Sequence, residues 1–231
     1  MRRSVAAVPG IRRVSAQDLV TFVQICDRLG IDPDWLAAVI SFESGWDPSI
    51  QNPKSNATGL IQFMPGVAKR LGVASDKSVA AAKLKAMSIA EQLPWVERYF
   101  RPHAGRMKSL SSVYAAVFGP GANSENVLAP DDRVIYRAPS AEYRDNAGLD
   151  KGNKGYITKA DLASAAQSRL DAARSARIEV NLDAVAVASA SNTPVLILAM
   201  AFGWLATDWY TRRYGLALPT ALQARLRSLT R

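Results

Sequence analysis

The 231-residue chain is 48% hydrophobic and 21% charged, a composition that fits one ordinary globular domain with extensions or two small domains, and excludes a fibre or a disordered tail. One cysteine, Cys26, excludes an internal disulfide framework, and one histidine, His103, excludes a zinc site of the Cys/His type, which needs three or four such ligands. The net charge of +9 resides at the ends: residues 1–13 carry four arginines and no acid, residues 208–231 carry five arginines against Asp208, and the remainder is nearly balanced, which argues against a nucleic-acid-binding face.

In chain order, the basic start Met1-Arg2-Arg3 precedes no apolar run of the length a cleavable signal needs, so no signal peptide is expected and residues 1–14 read as a basic arm. Ser15 is a good N-cap for a helix that places Leu19, Phe22, Val23 and Cys26 on one stripe before Gly30. Asp32-Pro33-Asp34 supplies a cap, a first-turn proline and an acid at the positive end of the dipole, and opens a second helix through Ser44. Further helices are predicted over 66–71, over 88–100 with the box Ser88 to Glu91, over 109–118, and from 158 to about 177 with the box Thr158 to Asp161. A last, basic amphipathic helix is predicted over 219–231, with Leu222, Leu226 and Leu229 on one face. No segment alternates at period two over a useful length, so the fold class is mainly α, with a helical domain over 15–178 and a C-terminal segment over 179–231.

Leu36, Val39, Ile40 and Glu43 stand at i, i+3, i+4 and i+7, which puts Glu43 on the stripe that faces the core. Burial disfavours the charged carboxylate and raises its pKa, the property of a general acid working near neutrality. The alternative is a glutamate at the stripe's edge that reaches solvent or an arginine.

From Glu43 the chain reads Glu43-Ser44-Gly45-Trp46-Asp47-Pro48, then Asn52-Pro53, then Gly59-Leu60-Ile61-Gln62-Phe63-Met64-Pro65. The two X-Pro pairs force turns that carry the chain away from the acid and back. Gly59 permits close backbone approach, and Gln62 is a neutral amide donor and acceptor suited to an N-acetylated sugar. Trp46 and Phe63 offer apolar faces, with a core position equally open to Trp46. This block resembles the signature of the lysozyme-like lytic transglycosylases, which include the soluble lytic transglycosylases and the goose-type lysozymes. The resemblance implies a lysozyme-like helical domain that acts on peptidoglycan without a cofactor or metal, with Glu43 as the catalytic acid. It also implies that Gln62 and Phe63 lie along the saccharide subsites, with Ser44 and Asn52 helping to hold the substrate.

A further family block reads Tyr-Asn-Ala-Gly-Pro-Gly, whereas here Gly119-Pro120-Gly121 follows Tyr114-Ala115-Ala116-Val117-Phe118. Aligned on the Gly-Pro-Gly turn, Ala116 and Val117 stand in place of the Tyr-Asn pair, and Tyr114 reads either as a substrate-site residue or as a core tyrosine. Tyr143 to Asp150 resembles a block of phage-type members in which a late tyrosine closes the cleft near the acid, and that assigns the role to Tyr143.

Residues 150–161 have the outline of a calcium loop, with acids at the first and twelfth positions and Gly155 at the sixth. Gly152 and Lys154 replace the oxygen donors expected at the third and fifth positions, so the loop reads as a turn that caps the next helix. His103 reads as a surface residue at a helix end. Residues 184–207 form a run of 24 residues without an ionisable side chain, followed by Trp209, Tyr210, Arg212, Arg213 and Tyr214. The run admits a membrane span, a buried helix or a docking surface for another protein. Together these features fit a lytic transglycosylase in a virion or cell envelope, with a goose-type hydrolase and a wall-binding structural protein as alternatives, and with no nucleic-acid partner.

Overall fold

The computed structural model describes residues 2–118, 124–173 and 175–182. The uncharged run 184–207, its aromatic and basic collar, the helix predicted over 219–231 and the Gly119-Pro120-Gly121 turn lie outside these residues. Residues 1–181 form one compact unit.

The unit is mainly helical. Ser15 accepts from the Asp18 amide and starts α1 (Ala16–Leu29), and Asp32 accepts from the Asp34 amide and starts α2 (Pro33–Ser44). The excursion after α2 leads to α3 (Pro65–Leu71), α4 (Lys77–Ala86) and α5 (Ile89–Phe100), the last opened by the reciprocal Ser88–Glu91 capping box. Next come α6 (Leu110–Val117), the short α7 (Ser124–Leu128) and α8 (Ala141–Asp145), and α9 (Lys159–Ala172) behind the Thr158–Asp161 box.

Two helices run through the middle. In α2, Leu36, Ala37, Ala38, Val39, Ile40 and Ser41 are all buried, and in α6 every residue from Leu110 to Ala116 is buried. A helix apolar all round belongs at the centre of its domain. The alanines on both helices keep these elements slim, and α2 packs against α1, α6 and α9. The helix that carries Glu43 and the helix that carries Tyr114 are therefore anchored in the core.

Four short strands accompany the helices among the described residues: β1 (Arg2–Ala6) pairs antiparallel with β4 (Arg177–Asn181), and β2 (Val134–Arg137) with β3 (Tyr156–Thr158). With three to five residues each, they are too short for alternation to reveal. The helix predicted to reach residue 177 stops at Ala172, and Arg177 opens β4 instead. Residues 2–14, read as a basic arm, pack into the unit: Val5, Ala6, Val8 and Ile11 are buried. The arginines pair with acids, Arg3 with Asp27 of α1 at 2.9 Å and Arg13 with Asp47 just past α2 at 3.3 Å. Arg177 on β4 pairs with Asp34, whose other oxygen accepts from the Ala6 amide.

His103 is buried rather than exposed. The short turn after α5 folds back on α1, where the Gly105 amide donates to the Leu29 carbonyl at 2.8 Å. Among the described residues no helix is long and apolar enough to cross a membrane.

Candidate active site

Glu43 lies on the last turn of α2 and is half-buried. Burial pushes its carboxyl up to about 7, against the opposing pull of a hydrogen bond from the Tyr114 hydroxyl. Tyr114 is itself buried, and burial with the neighbouring Glu43 charge raises its pKa. Tyr99 on α5 feels the Glu43 charge as well: burial first, then that charge, push its hydroxyl up to about 12. This hydroxyl donates to the Ala116 carbonyl at 2.7 Å, fixing α5 against α6. An aromatic file leads away from the acid: Phe42 lies 5.9 Å from Tyr114, Tyr114 stacks on Phe118 at 5.8 Å, and Phe118 meets Tyr136 of β2 at 6.0 Å.

The excursion between α2 and α3 forms the other side. Trp46 is fully buried, edge-on to Phe22 at 5.2 Å. Asp47 accepts from the Ser49 hydroxyl and amide, which hold its carboxyl below the usual range, and pairs with Arg13. The Asn52 side-chain oxygen accepts from the Lys54 and Ser55 amides, closing a turn. Residues 58–63 make a tight hairpin, with Thr58 and Phe63 exchanging backbone hydrogen bonds of 3.0 and 2.9 Å. Residues 21–90, which include Glu43 and this hairpin, match the family described as the Transglycosylase SLT domain. This stretch belongs to the lysozyme-like lytic transglycosylases. At family level the SLT domain is a glycan-cleaving module whose substrate is peptidoglycan. No curated protein matches the chain.

Within the SLT domain the hairpin is held from behind. The Ser44 hydroxyl is buried, and its partners are the Leu60 carbonyl at 2.9 Å and the Ile40 carbonyl at 3.1 Å. Ser44 thus ties the hairpin to the helix of the acid rather than presenting its hydroxyl to solvent. The Phe63 ring is buried too, edge-on to Tyr99 at 6.0 Å. Gln62 is half-buried with φ +50°, and its amide donates to the Gly59 carbonyl at 3.1 Å. A left-handed glutamine stores backbone strain, which is common where a site needs a fixed geometry. Phe42, Ile50 and Met64 present large apolar side chains to solvent next to these residues in sequence.

Tyr143 follows a different course, because its hydroxyl donates to Asp150 at 2.8 Å. Asp150 also accepts from the Lys154 and Gly155 amides, and the Lys154 ammonium lies 2.6 Å from Asp161. The structure brings Glu43 and Tyr114 together, sets Ser44 behind the hairpin, keeps Gly59 within it, and gives Tyr143 to the 150–161 loop. Tyr99 and Gln92 escaped the sequence reading. Gln92 had a signal: it stands on the apolar stripe of α5 with Ile89, Leu93, Val96 and Phe100, the same anomaly that drew attention to Glu43.

Proposed function

We propose that the chain is a peptidoglycan lytic transglycosylase that cleaves the β-1,4 bond between N-acetylmuramic acid and N-acetylglucosamine, with Glu43 as its acid and base. The observation that carries this reading is the Glu43–Tyr114 pair, a carboxyl poised at about 7 with one hydroxyl aimed at it. A pKa near the working pH leaves both protonation states accessible, which a group that first gives and then takes a proton requires. Protonated Glu43 gives its proton to the glycosidic oxygen as the C1–O bond breaks. The resulting carboxylate, stabilised by the Tyr114 hydroxyl, takes the proton of the muramyl C6 hydroxyl. O6 then bonds to C1, which closes a 1,6-anhydro ring and returns Glu43 to its protonated form.

Most glycosidases that use water or a covalent intermediate have a second carboxylate across the bond. The upward shift at Glu43 arises from burial, opposed by the Tyr114 hydrogen bond, and nearby Asp47 is tied to Ser49 and Arg13. That arrangement supports a one-acid mechanism. Gln62 and the hairpin carbonyls supply amide-matching groups for the N-acetyl sugars, and the likeness of residues 143–150 to phage-type members supports a virion or envelope setting.

Glu43→Gln tests the reading. The near-isosteric amide cannot protonate an oxygen, so wild type releases 1,6-anhydromuramyl products from purified sacculi, the variant releases essentially none, and the variant still sediments with sacculi. Reducing-end products from wild type would make the protein a hydrolysing lysozyme. Binding by both proteins without cleavage would make it a structural wall-binding protein.

A further inference from the structure

Gln92 is completely buried, in the first turn of α5, and both hydrogens of its amide nitrogen and its oxygen are engaged. Its oxygen accepts from the Leu60 amide at 2.9 Å, and its nitrogen donates to the Pro48 and Leu84 carbonyls at 2.7 Å each. One side chain therefore joins the outgoing limb of the excursion, the tip of its returning hairpin and the last turn of α4. A fully satisfied buried amide of this kind fixes one geometry, since every alternative leaves an unpaired polar group in the interior.

The hairpin is built around that amide. Gly59 has φ +80°, and a Cβ there would stand 2.3 Å from the Gln92 oxygen and 2.8 Å from its nitrogen. The space that a side chain at Gly59 would need is thus taken by Gln92. Leu60 is gripped on both sides, its amide by Gln92 and its carbonyl by Ser44. Ser44 is the chain neighbour of Glu43, so the second grip sets the hairpin against the catalytic helix.

We propose that Gln92 is a positioning residue for glycan recognition: through Leu60 and Gly59 it sets the 58–63 hairpin, with Gln62, at a fixed distance from Glu43. The inference rests on the reading of the site as a glycan-cleaving one. Gln92 hydrogen-bonds to Leu60, Pro48 and Leu84 and to neither the acid nor Tyr114, so its loss misplaces the sugar and leaves the proton chemistry intact.

Gln92→Met keeps the length and removes all three hydrogen bonds, whereas Gln92→Glu keeps the acceptor for Leu60. The measurements are initial rates on sacculi, the pH dependence of the rate, and hydrogen exchange at the Gly59 and Leu60 amides. For Gln92→Met, KM rises about tenfold, the scale of one or two lost hydrogen bonds, while kcat stays within a factor of two to three, a spread of under 1 kcal/mol. The alkaline limb of the pH profile stays in place, and the Leu60 amide exchanges faster. Gln92→Glu restores slow exchange at Leu60 and part of the KM. A lowered melting temperature with KM unchanged would reduce Gln92 to a structural role and overturn the proposal. If Gln92→Met fails to fold, Ser44→Ala releases Leu60 from the other side, and an unchanged KM in that variant overturns it equally. Wild type that neither binds nor cleaves glycan would instead remove the function proposed for the site.

Discussion

Tyr114, on α6, donates its hydroxyl to the carboxylate of Glu43, on α2. The bond favours the charged form of Glu43 and opposes the burial that favours the neutral one. Removing it has a definite sign. In Tyr114→Phe the Glu43 pKa moves further up, so the loss of activity on the alkaline side, where the acid becomes deprotonated, moves to higher pH. The carboxylate that takes the C6 proton in the proposed mechanism is also less stabilised, and kcat falls by about tenfold or more, the scale of a hydrogen bond to a charged group. A kcat–pH profile of both proteins checks this; an alkaline limb displaced to lower pH would contradict the geometry.

Glu43 also costs stability. The free carboxyl titrates at 4.5 and the folded one at about 7, so between these values the folded chain holds a proton that the unfolded chain releases. The cost is absent below 4.5, grows as pH rises, and is complete above about 7. At about 1.4 kcal/mol per pKa unit it reaches on the order of 3 kcal/mol. Glu43→Gln should therefore match wild type in urea at pH 4 and exceed it at pH 8, while having lost its activity. Equal stability at pH 8 would show that the acid is solvated.

The reasons these residues were or were not legible in sequence are physical. Helix starts announce themselves through oxygen caps, and Ser15, Asp32, Ser88, Ser109 and Thr158 all cap as their positions predict. α4 escaped because its apolar face is weak, although Asp76 caps it through the Ser78 and Val79 amides. Tyr114 stands two residues early when the chain is aligned on Gly119-Pro120-Gly121. What brings it to Glu43 is its place in α6, which ends at Val117, and not its distance from the downstream turn. Gly59 and Gln92 are 33 positions apart, and only the packing of α5 against the excursion gives them a shared space.

The β1–β4 ribbon closes the unit by joining its two ends. Removal of residues 1–8 uncovers the sites of Val5 and Val8 and takes the Ala6 amide from Asp34, and at about 1.5–3 kcal/mol per buried valine it lowers stability by on the order of 3 kcal/mol or more. Gly10→Ala is a sharper probe: with φ +86°, its Cβ would lie 2.1 Å from the Gly45 carbonyl oxygen, just past the helix of the acid. Chemical denaturation of both variants should show losses above the roughly 1 kcal/mol of a left-handed alanine alone; a neutral Gly10→Ala would place the arm elsewhere.

The same ribbon sets where a shortened chain must end. A chain stopping at Leu182 keeps β4 and its pairing with β1, whereas one stopping at 176 loses the ribbon. The first should melt cooperatively and retain turnover, and the second should be less stable. If 184–207 enters a bilayer, the full chain floats with anionic liposomes and the chain ending at Leu182 does not. Equal flotation of the two removes the membrane reading.

Lys154 stands where a calcium loop would hold its ion. Its ammonium is 2.6 Å from Asp161, at the twelfth position, and the Asp161 charge raises the Lys154 pKa. Asp150, at the first position, accepts instead from the Lys154 and Gly155 amides and from Tyr143. Ile157, at the eighth position, is buried and pairs with Tyr136 of β2, whose ring meets Phe118. The loop thus pairs its twelfth-position acid with a cation from its own side chain. Millimolar calcium or EDTA should leave the melting temperature of the wild type unchanged, and a calcium-dependent rise would show that the ammonium yields to the metal. Lys154→Asp exchanges the positive charge for a third carboxylate. It should melt below wild type in EDTA and recover part of the loss in millimolar calcium, since a ligand that binds only the folded state stabilises it by mass action. If Lys154→Asp melts with wild type in EDTA, the Lys154–Asp161 pair contributes nothing to the loop.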